Sequence, residues 1–470
     1  MFNFIFPKDK DLFKYIFTLA FPVIISNISR VMMGLIDTVM VGHLGAKAIA
    51  GVGVASMVTW TFLSLGIAFR TGTQTVVSRR LGQKKYFECG TAFRNMQVCA
   101  LLIGIPLTYL SYIYVSPIMF FFIKDLETHK LCVDYATYIY LSIWFIYSSF
   151  IFQGFYTGIE KTKIHMRVVI FSNLINLYLN IGLIFGLTKI QTFLDGSIFQ
   201  VFSNLWIIFP FPELGVKGAA IGTFIATIWG CLHYSFYLFN DEIKNKFKVF
   251  RPEINKTMLI RQLIIAYPIA LQETLVMFSF TIFYKIMGIL GAVQLAATHI
   301  IFKIMHASFM PAIGIGQACA TLVGKFLGEE NPDKAERAIN ESLRGSLMVM
   351  GTVGLCFALF AQFIIPLFIT DSNVIKLAVP GLRFVGFLQF ADAVCFTTWF
   401  ALTGAGDTKI PALVDVLTHW ILFIPACYLL SITFGYGYWG GWISFGLHLT
   451  FFACFIYYRF KRGYWKTIKV

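Results

Sequence analysis

Three acidic side chains lie inside apolar segments that are long enough to cross a membrane: Asp37, Glu273 and Asp392. A charged side chain at membrane depth costs at least about 2.5 kcal/mol on insertion scales, so it is rarely retained without a partner or a task. A carboxyl group in a low-dielectric cavity tends to hold a proton, and a nearby cation reverses that tendency. Such a group can exchange a proton for Na⁺ or for an organic cation. Three acids spread over both halves of the chain therefore favour proton or cation handling.

A structural role for these acids is the alternative. Each of them would then be neutral or paired with a basic side chain at membrane depth. Five basic residues also fall within the apolar segments: Arg30, Arg70, Lys285, Lys303 and Arg383.

Neutral polar residues accompany the acids. Asn176 and Asn180 are four residues apart, so on a helix they share one face, and their carbonyl oxygens are suited to bind Na⁺ together with Asp37. Helix contacts through asparagine are the alternative for this pair. Gln389 shares a face with Asp392 in the same way, and we expect these two and Glu273 to line a substrate cavity.

The sequence carries no pattern for covalent chemistry. It contains no HExxH, GxSxG or phosphate-binding loop, so we expect neither an enzyme nor an ATP-driven pump. The nine cysteines form no CxxC and are interpreted as small apolar residues. We find no ligand spacing around His299, His306 or His419 and interpret them as packing or hydrogen-bonding residues. No cofactor is expected apart from a coupling ion, Na⁺ or H⁺.

The composition is that of a membrane protein. Hydrophobic residues make up 58% of the 470 residues and charged residues only 13%, with a mean hydropathy of +0.74. The net charge of +15 does not indicate nucleic-acid binding, because the basic residues lie in short connections between apolar segments.

Twelve apolar segments are long enough to span a bilayer, which takes about 20 residues. They run over residues 13–41, 48–78, 91–123, 132–157, 164–187, 215–239, 259–288, 294–324, 338–369, 376–402, 410–432 and 438–460. A thirteenth candidate, Ser197–Phe209, is too short, and we expect it to lie in the interface or to re-enter.

The basic residues predict the orientation of the chain. The connections on the side of both termini hold 27 Lys or Arg, and those on the opposite side hold six. Positively charged loops stay in the cytoplasm, so we expect a plasma-membrane protein with both termini cytoplasmic.

The chain is duplicated at an interval of 246 residues. Residues 1–240 and 258–470 each form a predicted six-helix lobe, and residues 241–257 form a cytoplasmic linker. Because six is even, both lobes enter the membrane from the same side, which predicts a parallel repeat with a pseudo-two-fold axis along the membrane normal. The matching residues include Pro22 with Pro268, Gly42 with Gly288, Gly45 with Gly291 and Thr157-Gly158 with Thr403-Gly404. We therefore predict an all-α membrane protein of two repeated lobes.

The three acids do not follow this repeat. Their counterparts at the same interval are apolar or amide residues: Phe283 for Asp37, Asn27 for Glu273 and Ile146 for Asp392. The duplicated frame is thus interpreted as structural, and the acids as functional.

These features together resemble the multidrug and toxic compound extrusion (MATE) family over nearly the whole chain. The most specific parts are the segment from Pro22 through DTVMVGHLG at 37–45 and the segment TGIEKTKI at 157–164. ELGVKGAAIGT at 213–223, LQFAD at 388–392 and TGAGDTKIP at 403–411 complete the likeness.

The resemblance implies two six-helix lobes around a V-shaped cleft and efflux of organic cations coupled to inward Na⁺ or H⁺. Asp37 with Asn176 and Asn180 is similar to the amino-lobe cation site of the family, and Glu273 with Asp392 to the carboxy-lobe acids of its NorM-like branch. The long connection over residues 188–214 departs from the family pattern.

We therefore expect a monomeric antiporter in the lipid bilayer whose partners are small organic cations, with no nucleic acid. The alternative within transport is a flippase for lipid-linked oligosaccharides, in which the intramembrane basic residues would meet a pyrophosphate.

Overall fold

The chain folds into helices, here described in a computed structural model that covers residues 6–194, 206 and 211–470. No strand occurs in these residues. The first half holds α1 (Lys10–Gly42), α2 (Ala46–Gly82), α3 (Tyr86–Ile113), α4 (Val115–Phe122), α5 (Leu126–Leu141), α6 (Ile143–Gly158), α7 (Thr162–Leu194) and α8 (Val216–Tyr237).

A short helix, α9 (Asp241–Phe247), leads into the second half. Its helices are α10 (Lys256–Leu290), α11 (Ala292–Ser308), α12 (Met310–Gly328), α13 (Pro332–Ile364), α14 (Ser372–Ala405), α15 (Lys409–Leu417), α16 (Ile424–Tyr428) and α17 (Gly437–Arg462). Two π-helical turns, Thr418–Phe423 and Leu429–Thr433, flank α16 in one continuous span.

The predicted helical, multi-span fold is confirmed. Eleven helical segments of the described chain are long and apolar enough to cross a membrane, and twelve if the bent pair α5 and α6 is one span. The two helices of that pair meet at 48°. The candidate segment Ser197–Phe209 lies outside the described residues except for Trp206, whose indole donates a 3.0 Å hydrogen bond to the Tyr178 carbonyl.

Polar side chains set several helix starts. Asp9 accepts a hydrogen bond from the backbone of Leu12 at the start of α1, and Asn255 accepts one from Met258 at the start of α10. These caps satisfy backbone N–H groups that have no partner inside the helix. The two caps are 246 residues apart, so the repeat extends to the helix ends.

Residues with a positive φ angle also recur at the interval of 246 residues. Gly45 (φ +105°) corresponds to Gly291 (φ +138°), and each precedes the second helix of its lobe. The other matched pairs are Lys84 (φ +59°) with Glu330 (φ +57°) and Glu160 (φ +64°) with Gly406 (φ +92°). Because non-glycine residues rarely adopt such angles, their recurrence reflects one shared lobe architecture.

The first helix of each lobe packs partly in the core of the other lobe. Leu12 and Leu19 of α1 are buried among residues of the second half, and Met258 and Ile265 of α10 are buried among those of the first. These two pairs are also 246 residues apart. The exchange is therefore symmetric, as expected when two similar halves meet across a pseudo-two-fold axis.

At one end, which we name the closed end, the lobes touch through backbone at Gly82 of α2 and Gly328 of α12. A Cβ on Gly82 would lie 1.9 Å from the Lys325 carbonyl oxygen, and one on Gly328 would lie 2.2 Å from that of Arg79. Only glycine permits this approach at either position.

Threonine and glutamine side chains extend the contact at the closed end. Thr75 donates to the Thr403 carbonyl at 2.9 Å, and its repeat counterpart Thr321 donates to the Thr157 carbonyl at 3.2 Å. Gln74 donates to Thr321 Oγ1 at 2.9 Å. These buried bonds cross from one lobe to the other and satisfy groups that would otherwise be costly to bury.

An ionic cluster lies beside these contacts. Lys325 Nζ is 3.0 Å from both carboxylate oxygens of Glu160 and donates to the Tyr15 hydroxyl at 3.0 Å, while that hydroxyl donates to Glu160 at 2.5 Å. Arg79 donates to the carbonyls of Ala405 and Ile468 at 3.2 and 3.0 Å. The closed end is thus fixed by backbone contact, neutral hydrogen bonds and charge together.

We predict that Gly328→Val opens the closed end. The added side chain would collide with the backbone of the opposite lobe, and overpacking of this kind costs about 1–3 kcal/mol. Separation of the lobes removes the collision. Spin labels at the exposed turn residues Lys84 and Glu330 should report a longer distance in pulsed electron paramagnetic resonance. Gly53→Val in α2 is the matched control, because a Cβ there meets nothing within 4 Å. An unchanged distribution in the Gly328 variant would show that this contact does not hold the lobes together.

Candidate functional site

The structure brings together the predicted amino-lobe residues. Asn180 Nδ2 of α7 donates to Asp37 Oδ1 of α1 at 2.8 Å and to Asn176 Oδ1 at 3.3 Å. Asn176 Nδ2 in turn reaches the Thr223 hydroxyl of α8 at 3.2 Å. Asn176 and Asn180 are buried and Asp37 is half-buried. Side chains from three helices are therefore linked by hydrogen bonds, and they carry the carboxylate, amide and hydroxyl oxygens that a hard cation such as Na⁺ prefers.

A glycine on α8 sets this arrangement. A Cβ on Gly222 would lie 2.0 Å from Asn180 Oδ1, so the asparagine side chain fills the space that a larger residue would occupy. Gly218, one turn earlier, would place a Cβ 2.2 Å from the Leu183 carbonyl oxygen. Small residues let membrane helices approach closely, and here they let α8 press Asn180 toward Asp37. Thr223 beside Gly222 was not among the predicted site residues, although it lies in the segment of 213–223 that carries the family resemblance.

The predicted carboxy-lobe residues do not form one hydrogen-bonded group. Asp392 of α14 is 2% exposed, and its Oδ2 has no hydrogen-bond partner within the described residues. Gln389 is fully buried and accepts from Ser308 at 3.3 Å, not from Asp392. Glu273 of α10 is half-buried and lies within electrostatic range of Arg70 and Asp415. A small-molecule cavity formed by Glu273, Gln389 and Asp392 remains a prediction.

No ion pair of the described chain joins Asp37, Glu273 or Asp392 to a basic side chain. The alternative of salt-bridged structural acids therefore has no support in the contacts of these three residues. Arg30, which is exposed between the helices, and Arg70, which is buried, lie within range of each other's charge.

The expectation of three acids within the spans is wrong, because the predicted segments also contain Asp134, Glu341 and Asp415. Asp415 in α15 is buried. Its Oδ2 accepts from Gln272 Nε2 of α10 at 2.6 Å, and its Oδ1 lies 3.3 Å from His419 Nδ1.

His419 is a hydrogen-bonding residue, as expected, since its Nδ1 donates to the Asp415 carbonyl at 2.9 Å. It is not an isolated histidine, however, because it lies four residues after Asp415. That spacing was visible in the sequence, whereas the third member, His448 on α17, is brought in only by the fold.

The family follows from comparison with known proteins. The model of the MatE family matches residues 22–181 and 268–429, more than half of the chain, and the two matches begin 246 residues apart. This chain belongs to the MatE family, as the sequence motifs predicted. It is therefore a member of a family of multi-span membrane transporters.

Relatives and solved structures agree with this assignment. The chain is 25% identical to a probable multidrug resistance protein NorM of Thermotoga maritima over 98% of this chain and 95% of that protein. It is also 25% identical to the protein of the same name in Pasteurella multocida, over 96% and 94%. A solved structure of MATE in the straight conformation superimposes with a TM-score of 0.85 at 18% identity, covering 97% of each chain. The bent conformation gives a TM-score of 0.83 over 97% and 96%, so both share this fold.

We predict that Gly222→Ala weakens the bond between Asn180 and Asp37. The new methyl group displaces the Asn180 side chain, and a buried polar group left unpaired costs about 1–3 kcal/mol. The melting temperature in detergent should therefore fall. Gly230→Ala on the same helix is the control, because its Cβ meets only the rotatable Ser172 hydroxyl, at 2.8 Å. Equal melting temperatures for the two variants would contradict the role given to Gly222.

Proposed function

We propose that this protein is a secondary active antiporter that exports organic cations in exchange for Na⁺ or H⁺ by alternating access. The observation that carries the proposal is Asp37, a half-buried carboxylate held by Asn180 at 2.8 Å and without a basic partner in the described chain. A carboxylate in this setting binds either a proton or Na⁺, and each ion weakens the binding of the other. The NorM relatives are probable multidrug resistance proteins, which supports an organic-cation substrate.

The arrangement of the lobes supports alternating access. At the closed end Gly82 and Gly328 each meet the backbone of the opposite lobe. The basic loops at 79–94 and 325–344 lie at this end, and positively charged loops stay in the cytoplasm. The proposed orientation thus has both termini cytoplasmic, in a plasma-membrane monomer, and the described conformation is closed toward the cytoplasm.

Exchange requires that the two ligands prefer opposite states. A ligand shifts a conformational equilibrium only by its differential affinity for the two states. In the proposed cycle the coupling ion binds Asp37 in the outward-facing state and favours return, while the organic cation binds the inward-facing state. Loss of the Asp37 charge removes the binding site of the coupling ion, so ion binding can no longer drive the conformational change that exports the organic cation.

Arg30 and Arg70 favour a second candidate, a flippase for a pyrophosphate-linked lipid. The described chain provides neither of them with an ion pair, and two neighbouring positive charges suit an anionic group. Arg30→Gln would then lower lipid-linked precursor transport and leave dye efflux unchanged. The opposite pattern in the same variant favours the antiporter.

We predict that Asp37→Asn reduces ethidium efflux from cells at least about tenfold, because a lost charge-assisted hydrogen bond costs about 1.5–3 kcal/mol and the carboxylate is also the ion ligand. Asp241→Asn is the control, since Asp241 is exposed in α9 and undergoes the same chemical change. Membrane amounts of both variants should equal that of the unaltered protein. Full efflux by the Asp37 variant would exclude this coupling role.

The coupling ion is tested in inverted membrane vesicles with a Na⁺ gradient and a pH gradient imposed separately. Drug movement should follow one of the two gradients and vanish when that gradient is dissipated. We further predict that Glu273→Gln and Asp392→Asn weaken the ion dependence several-fold, since both acids are embedded in the carboxy lobe. Unchanged ion dependence in both variants would assign these acids a structural role, and drug movement under neither gradient would overturn antiport.

A further inference from the structure

A buried group of metal-ligating side chains lies in the carboxy lobe, apart from the amino-lobe site. Asp415 on α15, His419 in the following π-helical turn and His448 on α17 each offer a ligand atom, and these atoms lie within 4.8 Å of one another. Asp415 is 8% exposed, His419 4% and His448 3%. Three ionisable side chains at this depth are costly unless they bind one another or a ligand.

Each of the two histidines keeps one ring nitrogen free to bind a ligand. His419 Nδ1 lies 2.9 Å from the Asp415 backbone oxygen, so the ring donates there and keeps a lone pair on Nε2. His448 Nδ1 is buried without a hydrogen-bond partner in the described residues. A backbone carbonyl that holds one ring nitrogen orients the other toward a metal.

An amide side chain orients the carboxylate as well. Gln272 on α10 donates to Asp415 Oδ2 at 2.6 Å, and its own Oε1 is buried without a partner in the part of the chain described. An unpaired buried acceptor costs about 1–3 kcal/mol, so two of them beside one carboxylate are poorly explained by packing. A cation between Asp415 and His448 would satisfy the free lone pairs.

Aromatic rings enclose the group and keep water away. The His419 ring centroid lies 5.7 Å from that of Phe280 and 5.9 Å from that of Phe423, and the His448 ring stacks on Phe452 at 6.4 Å. The π-helical turn that carries His419 belongs to a class of backbone distortion frequent at functional sites.

From these observations we propose that Asp415, His419 and His448 bind a first-row divalent transition metal ion, with Zn²⁺ as the expected occupant. Two imidazoles and one carboxylate are ligands of Zn²⁺, Co²⁺ and related ions, whereas Mg²⁺ and Ca²⁺ prefer oxygen alone. Zn²⁺ takes nitrogen and oxygen ligands at about 2.0–2.2 Å, so the side chains close around the ion by small rotations.

A neighbouring acid offsets the charge of the ion. Glu273 lies within electrostatic range of Asp415. A divalent cation bound by the Asp415 carboxylate therefore has a second carboxyl group nearby. Binding at this site is independent of the proposed antiport, because it is measured at equilibrium without any gradient.

The experiment is a Co²⁺ titration of the purified full chain in detergent after treatment with a chelator. We expect the visible ligand-field bands of nitrogen-bound Co²⁺, saturation at one ion per chain and loss of the bands when Zn²⁺ is added. His448→Gln and Asp415→Asn should weaken binding more than about tenfold, and Gln272→Leu by about 10–100-fold, the range for residues that orient a ligand. His299→Gln on α11 is the control, since that histidine stacks on Tyr284 at 4.3 Å, away from the group.

Two results would overturn the proposal. One is the absence of bands at saturating Co²⁺ in the unaltered protein, which would leave Asp415 and His419 as a structural pair. The other is equal Co²⁺ affinity in the Asp415, His448 and His299 variants, which would place the ion elsewhere. Gln272→Leu keeps the side-chain volume, so it provides a readout even where a ligand variant fails to fold.

Discussion

The close backbone contact between the lobes is the constraint on which the rest of the structure depends. Gly82 and Gly328 bring α2 and α12 together at two symmetric points, and any side chain at either position would collide with a carbonyl group of the opposite lobe. The hydrogen bonds of Thr75 and Thr321 require that same separation. A rocking motion of the lobes must therefore break these contacts.

The two lobes share a frame and differ in chemistry. Helix caps, left-handed turns and interlobe bonds all recur at 246 residues, so the duplication fixes the backbone. The polar sites do not recur, because Asp37 is replaced by a buried Phe283 and Asp415 belongs to the second lobe only. Each lobe can therefore hold its own cation site. In the proposed amino-lobe site the ligands would be oxygens, whereas in the proposed carboxy-lobe site two imidazoles would join a carboxylate, so the two sites would select different ions.

Much of this architecture could be predicted from sequence, since apolar length and an ungapped repeat depend on local composition. The grouping of Asp37 with Asn180 was also accessible, through helical spacing and family resemblance. The sequence did not predict how the carboxy-lobe residues Glu273, Gln389 and Asp392 are arranged. Whether such residues share a cavity depends on the rotation of each helix about its axis, and the apolar segments carry no information on that rotation. Asp415 lies within a predicted span, but its proximity to His448 depends on the packing of α15 against α17. Gly82 and Gly328 are 246 residues apart and can be recognised as a repeated pair in the sequence. The backbone groups that they contact in the opposite lobe cannot be predicted in this way.

The exchange of α1 and α10 has a consequence for biosynthesis. Leu12 and Leu19 are buried against the second half, and the first half is completed by Met258 and Ile265. The amino lobe therefore cannot finish its core when residue 240 leaves the ribosome, although all six of its spans have been made. The apolar surface of the amino lobe therefore stays uncovered in the bilayer until α10 is inserted. Folding of the two halves is thus coupled during translation, and long-range pairing of this kind slows the final step of assembly.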